Sequence, residues 1–335
     1  GELIDSWTDF LENETLDLDG KYGSINNIIT FNDVLYALQD RAISKIGVNP
    51  RVQTQGSDGL SIELGTGGIL YDYNYITTDS GTLNKWSVFT SPYGFYYFDL
   101  LNKSYNKFNG KILNLSSMKG MHAYFQNNTD YTELIKDNHL LRQGIIGGYD
   151  SVNKEALLTL LQGDKSFTLG FNDKKDYFTS FYDYLPSIYI NRGFRNLMVN
   201  PSNSKLYNSF EGEYNKFFDV KYPSYITLMI NPESDVDCIF DNIEYNSEVY
   251  INDIDMPTET LSHIQGWNEY QDSGRIPLIV GRNKNLRRKF RKWRADIPRD
   301  GRKRLRNPWI FLKLELDTTN NSKFILHDII INYTV

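Results

Sequence analysis

The sequence predicts an all-β protein, in which propeller-like β-blade repeats are followed by a C-terminal domain resembling a β-sandwich or jelly roll, with little helix. Short apolar runs recur at intervals of roughly 8 to 15 residues between Gly, Asn, Asp and Pro turn signals, a spacing typical of all-β folds. Aromatic residues make up 14% of the 335 residues, and Tyr and Phe favour strands. Beyond residue 215 the apolar runs lengthen, which favours a second, sandwich-like domain.

Residues 1–215 are predicted to form a propeller-like domain, complete or partial. A loose pattern of strand, Asp, turn and returning strand recurs at Gly147–Asp150 and again at Leu169–Asn172. Strand repeats arranged radially are the sequence signature of propeller blades, although the period here is irregular. Further candidate strands are Asn27–Phe31, Trp86–Thr90, Ala156–Leu161 and Ser187–Ile190.

One hairpin has a specific turn signal. Gly94–Asp99 leads into a second run that ends at Phe108, and Asn109-Gly110 follows. An Asn-Gly pair favours a two-residue turn in which both residues have positive φ. The segment from Ser117 to Ile135 is compatible with helix instead.

Residues 216–335 are predicted to form the sandwich-like domain, with five or six strands. The candidate strands lie within Phe217–Ile230, Ile239–Tyr245, Glu248–Ile251, Trp309–Leu316 and Lys323–Val335. This number of strands within about 120 residues fits a sandwich or a jelly roll.

The positive charge is concentrated in the segment 282–306, which has 13 Lys or Arg and two acids, leaving 23 basic and 40 acidic residues elsewhere. The net charge of −6 therefore combines +11 in this segment with −17 in the remainder. Embedded aromatic residues, together with Pro298 and Gly301, predict a structured basic loop between strands. Contact with another subunit or within the chain, a solvated face and a nucleic-acid contact are the three interpretations.

Contact with another subunit is favoured, because acidic protein surface is abundant in the rest of the chain. The candidate contact residues are Arg282, Lys284, Arg287, Arg288, Lys289, Arg291, Lys292, Arg294, Arg302, Lys303, Arg304 and Arg306.

No catalytic, cofactor-binding or metal-binding residues are predicted. The single cysteine, Cys238, lies in an apolar run that predicts a buried thiol. The four histidines lack metal-ligand spacing, and Asp17–Gly20 lacks the remaining acids of a calcium loop. No P-loop, nucleophile elbow or dinucleotide fingerprint is present, and no apolar run is long enough to span a membrane.

A glycosidase is the enzyme class that remains, because such enzymes work with two carboxylates. Asp235 with Asp237, or Asp173 with Asp176, could form such a pair. With 42 acidic residues in the chain, pairs of this kind are expected by chance, so a non-enzymatic protein is predicted.

Several segments in a fixed order resemble the tail-tip (muzzle or nozzle) proteins of crAss-like, short-tailed bacteriophages, in their C-terminal portion. The resemblance extends from about residue 60 onward, and each segment alone is unspecific. The segments are Tyr97–Ser104, Gly147–Asp150, Thr168–Asn172, Phe178–Tyr182, Lys221–Tyr225, Phe240–Tyr245, Lys292–Arg299, Arg304–Trp309 and Phe324–Tyr333.

The resemblance implies a structural virion protein, a subunit of the ring at the distal end of a podovirus tail that encloses or gates the DNA exit channel. The implied partners are other copies of the chain, other tail proteins and the N-terminal part of the same precursor, with genomic DNA only as passing cargo. The start at Gly1 fits the C-terminal piece of a longer polypeptide. The family supplies no catalytic residues. A glycan-binding or glycan-cleaving phage tail protein is the alternative.

Overall fold

The computed structural model describes residues 15–49, 52–55, 61–64, 69–192, 195–317 and 320–335. Most of these residues lie in antiparallel strands, and their α-helix is confined to three short segments. The predicted all-β class with little helix is therefore confirmed. The chain divides into two compact units, Gly1–Phe210 and Glu211–Val335.

The first unit begins with a four-stranded sheet. Its strands run in the order β1, β2, β3, β6, while β4 pairs with β5 in a separate hairpin. Asn32 and Asp33, with φ of 50° and 59°, form the turn between β1 and β2. Asn and Asp tolerate the left-handed conformation that a two-residue hairpin turn requires. The strands are β1 (Ile25–Phe31), β2 (Val34–Gln39), β3 (Ile43–Asn49), β4 (Val52–Gln55), β5 (Ser61–Leu64) and β6 (Ile69–Thr77).

The second sheet contains the predicted hairpin. Its strands are β7 (Phe89–Ser91), β8 (Gly94–Asp99), β9 (Ser104–Phe108) and β10 (Ile112–Asn114), paired in sequence order. Asn109-Gly110 does turn the chain, but Phe108 pairs with Ile112, so the loop has three residues. Only Gly110 (φ 99°) has positive φ. The prediction of positive φ at both residues is wrong, because a three-residue loop needs one such position.

Three short helices follow the second sheet, in the region predicted to be helix-compatible. They are α1 (Leu115–Met118), α2 (His122–Asn128) and α3 (Tyr131–Leu134). The side chain of Asn114 accepts a hydrogen bond from the backbone of Ser117, and Asp130 does the same for Thr132. These caps satisfy backbone donors at the helix starts, and the helices place Phe125 and Leu134 in the core.

A third four-stranded sheet and a smaller, three-stranded sheet complete the first unit. In each, strands that are consecutive in sequence are neighbours. Such a four-stranded meander is the element from which propeller blades are built; closure of the blades around an axis stays a prediction. The strands are β11 (Gln143–Asp150), β12 (Glu155–Gln162), β13 (Phe167–Asn172), β14 (Tyr177–Tyr182), β15 (Ile188–Arg192), β16 (Arg195–Val199) and β17 (Leu206–Asn208).

Strand β8 is buried on both faces, which makes the second sheet a middle layer. Phe95 and Tyr97 pack into one cluster with Tyr36 of β2. The alternate residues Tyr96 and Phe98 pack into a second cluster with residues of the third sheet. A strand covered on both sides is apolar throughout instead of alternating, which explains the unbroken run Phe95–Phe98.

The Gly-Gly pair of β11 is required by close packing. A side chain at Gly147 would collide with the ring of Phe89, and one at Gly148 would collide with Tyr189. The pair therefore lets two aromatic residues approach the backbone of the third sheet.

A buried ion pair joins the second sheet to the turn after β13. The Asp173 side chain is fully buried and accepts hydrogen bonds from Lys107 Nζ at 2.5 Å, Tyr96 Oη at 2.5 Å and Ser91 Oγ at 2.8 Å. Burial raises the pKa of the Tyr96 hydroxyl far above its ordinary value, which keeps it protonated as a donor. Three donors thus compensate one buried carboxylate.

The second unit is built from two main sheets and one short hairpin. One sheet has the order β20-β28-β23-β24, and the other has the order β25-β26-β21-β29, with short β22 and β27 also paired to β21. Strands β18 and β19 pair with each other. The strands are β18 (Lys216–Phe217), β19 (Val220–Lys221), β20 (Ser224–Ile230), β21 (Cys238–Ile251), β22 (Ile254–Asp255), β23 (His263–Trp267), β24 (Ile276–Pro277), β25 (Leu286–Lys289), β26 (Lys292–Asp296), β27 (Arg306–Asn307), β28 (Ile310–Leu316) and β29 (Ser322–Thr334).

Both sheets of the second unit contribute to one core. Ile243 and Trp293 come from one sheet, and Ile264, Leu312 and Leu314 come from the other. Alternate residues of β26 and β28 point into this core, as expected for two sheets packed face to face.

We predict that Asp173→Ala lowers the free energy of unfolding by about 3–5 kcal/mol, because it leaves the Lys107 ammonium buried without a partner. Denaturant unfolding of the purified chain measures this. Asp176→Ala is the control, since Asp176 pairs with Lys119 but its side chain is 63% exposed, and exposed pairs contribute little. Adding Lys107→Met to Asp173→Ala should restore part of the lost stability. Equal losses of stability in Asp173→Ala and Asp176→Ala would contradict the prediction.

Candidate interaction surface

The basic segment 282–306 contains a β-hairpin, which corrects the prediction of a basic loop. Strands β25 and β26 pair from Leu286 with Ala295 to Lys289 with Lys292. Leu286, Trp293 and Ala295 are buried in the core of the second unit. The alternation of basic and apolar residues along β26 was the signal for a strand, and the charge density obscured it.

One face of this hairpin is a row of four cations. Because directly paired residues share a face, Arg287 lies opposite Arg294 and Lys289 lies opposite Lys292. Like charges in this position destabilise a sheet. Arg287 is compensated by Asp296 at 3.1 Å and Arg294 by Glu244 at 3.6 Å. Neither Lys289 nor Lys292 has an acidic partner among the residues that the structure describes.

The tip of the hairpin is a two-residue turn formed by Phe290 and Arg291, with φ of 51° and 66°. The Phe290 side chain is 88% exposed, more than any other large hydrophobic residue described. A left-handed conformation costs about 1–2 kcal/mol for a residue with a side chain, and Asn or Gly usually occupies such turns. Sequence analysis missed this turn because Phe-Arg carries no turn signal.

Five of the predicted contact residues are bound within their own unit. Arg287 and Arg294 form the pairs given above. Arg288 donates a hydrogen bond to the Pro257 carbonyl and lies 5.3 Å from the centre of the Trp293 ring. Arg304 pairs with Asp241 at 2.7 Å, and Arg306 pairs with Asp237 at 3.4 Å.

The other seven predicted residues are exposed, and no acid among the described residues pairs with them. Three of them lie at the hairpin tip, two lie beside Gly301, and two precede β25. They are Arg282, Lys284, Lys289, Arg291, Lys292, Arg302 and Lys303.

A polar depression lies beside the hairpin and is lined by charges of both signs. Arg294, Arg299 and Arg304 lie on its wall together with Asp241 and Asp296. Since Arg304 pairs with Asp241 there, the charges that line the depression largely compensate each other. Within the hairpin, the cations that no described acid compensates and no carbonyl holds are Lys289, Arg291 and Lys292 at the tip.

The candidate carboxylate pairs have structural partners. Asp173 accepts the three hydrogen bonds described above, and Asp176 pairs with Lys119. Asp235 and Asp237 lie in the exposed turn between β20 and β21, where Asp237 pairs with Arg306. The three hydrogen bonds to Asp173 therefore have a structural role in the core of the first unit.

The other residues considered as candidate site residues, in the calcium-like segment and at the cysteine, lie apart from one another. Asp19 of the calcium-like segment accepts a hydrogen bond from the backbone of Lys21 and so caps a short turn. Cys238 is fully buried, and burial raises the pKa of its thiol. In the described ranges no cluster of three or more metal-ligating side chains occurs, and no helix is long and apolar enough to cross a membrane.

Comparison with known proteins connects both units to one family. Residues 1–202 match the family described as "Crassvirus muzzle protein", and residues 212–300 match "Crassvirus muzzle protein C-terminal domain". The chain is 33% identical over 341 aligned residues to the "Muzzle protein" of Bacteroides phage crAss001. The alignment covers 99% of this chain and 24% of that relative, so the chain spans about a quarter of its length.

We predict that Phe290→Asn raises the free energy of unfolding by about 0.5–1 kcal/mol, because Asn accepts the left-handed conformation more readily than Phe. Denaturant unfolding compares the variant with the unmodified chain. Phe290→Ala is the control, since Ala removes the ring without favouring positive φ. A loss of stability in Phe290→Asn would show that the exposed ring makes a stabilising contact within the chain.

Proposed function

Because the chain belongs to the crassvirus muzzle protein family, we propose that it forms part of the ring at the distal end of a short phage tail and encloses the DNA exit channel. It is a structural component of the phage tail and hence of the virion. The family match over both units is the observation that carries this proposal. The ring consists of copies of this chain, which also contact other tail proteins and the rest of the same polypeptide.

The charge distribution supports contacts between copies. A ring needs a heterologous interface, in which one surface of a subunit meets a different surface of the next. The basic hairpin lies within the segment 282–306, which carries a net charge of +11, and the residues outside this segment carry −17. Complementary charge on two surfaces of one chain favours the correct register of such an interface.

The basic hairpin faces a protein neighbour in this proposal, and DNA only passes through the ring. A basic channel wall would hold the phosphate backbone and slow ejection, since neutralised phosphates bind with a strong dependence on salt. A neutral or acidic wall lets DNA slide.

Imaging of phage particles that carry a tagged chain tests the proposed position of this chain in the tail. We predict that a tag inserted in the exposed turn Gly163–Lys165 appears as a ring of density at the distal tip of the tail. Exposed turns tolerate insertions, so assembly should continue. Untagged particles are the control. Density at the capsid, or at one side of the tail, would overturn the ring assignment.

A further inference from the structure

The hairpin tip presents an exposed aromatic ring surrounded by cations. Phe290 is 88% exposed, and Lys289, Arg291 and Lys292 surround it without an acidic partner in the described part of the chain. The Lys289 ammonium lies 5.4 Å from the centre of the Phe290 ring, so the ring also helps to hold this cation.

We propose that the β25–β26 hairpin docks on acidic side chains outside the segment 282–306 of a second copy of this chain, with Phe290 as the apolar anchor and Lys289, Arg291 and Lys292 as the charged rim. The proposal rests on the proposed ring function and identifies the element that would join its subunits. An aromatic anchor inside a polar rim is the usual composition of the energetically dominant part of a protein interface.

In the isolated chain the hairpin has a local cost in free energy. Lys289 and Lys292 lie opposite each other without an acid beside them in the described part of the chain, and two residues with side chains adopt left-handed conformations at the tip. Both features destabilise the free hairpin. Backbone conformations of this kind are found preferentially at functional sites. A partner that supplies carboxylates and covers the ring offsets both costs.

The base of the hairpin is fixed in the core of the second unit, while the residues at its tip are exposed. Trp293 and Leu286 anchor it in the core, while Arg288 and Arg294 tie it to the Pro257 carbonyl and to Glu244 of β21. A docking element held in one conformation loses little entropy on binding. The cations that stabilise the fold and those at the tip are different residues, so the two roles can be separated by mutation.

A second copy of the chain has the charge that complements the hairpin. The segment 282–306 carries +11, and the rest of the chain carries −17. A second copy therefore supplies the complementary charge at the same concentration. A contact between two different surfaces of identical chains leaves one hairpin and one acidic surface open, and it continues into a ring or a filament.

Sedimentation velocity of the 335-residue chain tests the proposal at about 0.05 M and about 0.5 M salt, where the screening length falls several-fold. The chain should associate at low salt and dissociate at high salt. The triple variant Lys289→Glu, Arg291→Glu, Lys292→Glu should weaken association by at least about 100-fold, because each attraction becomes a repulsion. The matched control is Lys45→Glu, Lys174→Glu, Lys205→Glu, which changes the net charge equally at exposed positions of the first unit and should associate as the unmodified chain does.

Mixing separates a docking hairpin from a general charge effect. The triple variant keeps its acidic surface and therefore accepts the hairpin of an unmodified chain, but it cannot extend the assembly further. Added in excess, it should convert larger assemblies into dimers.

Phe290→Asn separates the anchor from the fold. This variant should associate about 10- to 30-fold more weakly, as expected for loss of an aromatic anchor, while its stability does not fall. A chain that stays monomeric at low salt would overturn the proposal, as would equal association of the triple variant and its control. Binding of duplex DNA that is lost in the triple variant, with self-association unchanged, would also overturn it and assign the hairpin to nucleic acid. A ring seen by imaging together with unchanged association of the triple variant would reject the hairpin and retain the ring.

Discussion

The Asp173 carboxylate lies inside an aromatic core, and the layering of the first unit depends on how its charge is compensated. Its donors come from β7, β8 and β9, whereas Asp173 itself follows β13. A buried carboxylate is tolerated only where several donors meet. This requirement fixes the end of the third sheet against the middle sheet more specifically than apolar contacts do, because aromatic rings can pack in several arrangements and a three-donor site cannot.

In the second unit, charges at the surface are compensated by exposed ion pairs. Arg287, Arg294, Arg304 and Arg306 each pair with an acid of neighbouring sequence or strand. These exposed pairs contribute little stability, but they reduce the repulsion within the very basic segment 282–306. Within the hairpin, Lys289, Arg291 and Lys292 at the tip have no such partner among the described residues. The charges near the base of the hairpin are therefore compensated within the chain, whereas the charges at its tip are available to a partner.

The sequence predicts the all-β class well, since the recurring turn residues between short apolar runs and the unbroken apolar run of β8 are local signals. It predicts the site less well. The turn at Phe290 follows from the pairing of Lys289 with Lys292 and has no signal of its own. The partners of Asp173 lie 66 to 82 residues away, and no local pattern brings them together. High charge density also led to a loop being predicted where buried Trp293 and Ala295 define a strand.

The one cysteine of the chain begins the central strand of the second unit, where it is fully buried. A buried thiol is chemically silent until the strand around it opens. Thiol-specific reagents therefore report on local opening of the second unit alone, while the first unit contributes no background. The 335-residue chain thus contains a residue-specific probe that would show, without any engineered label, whether self-association holds this sheet closed.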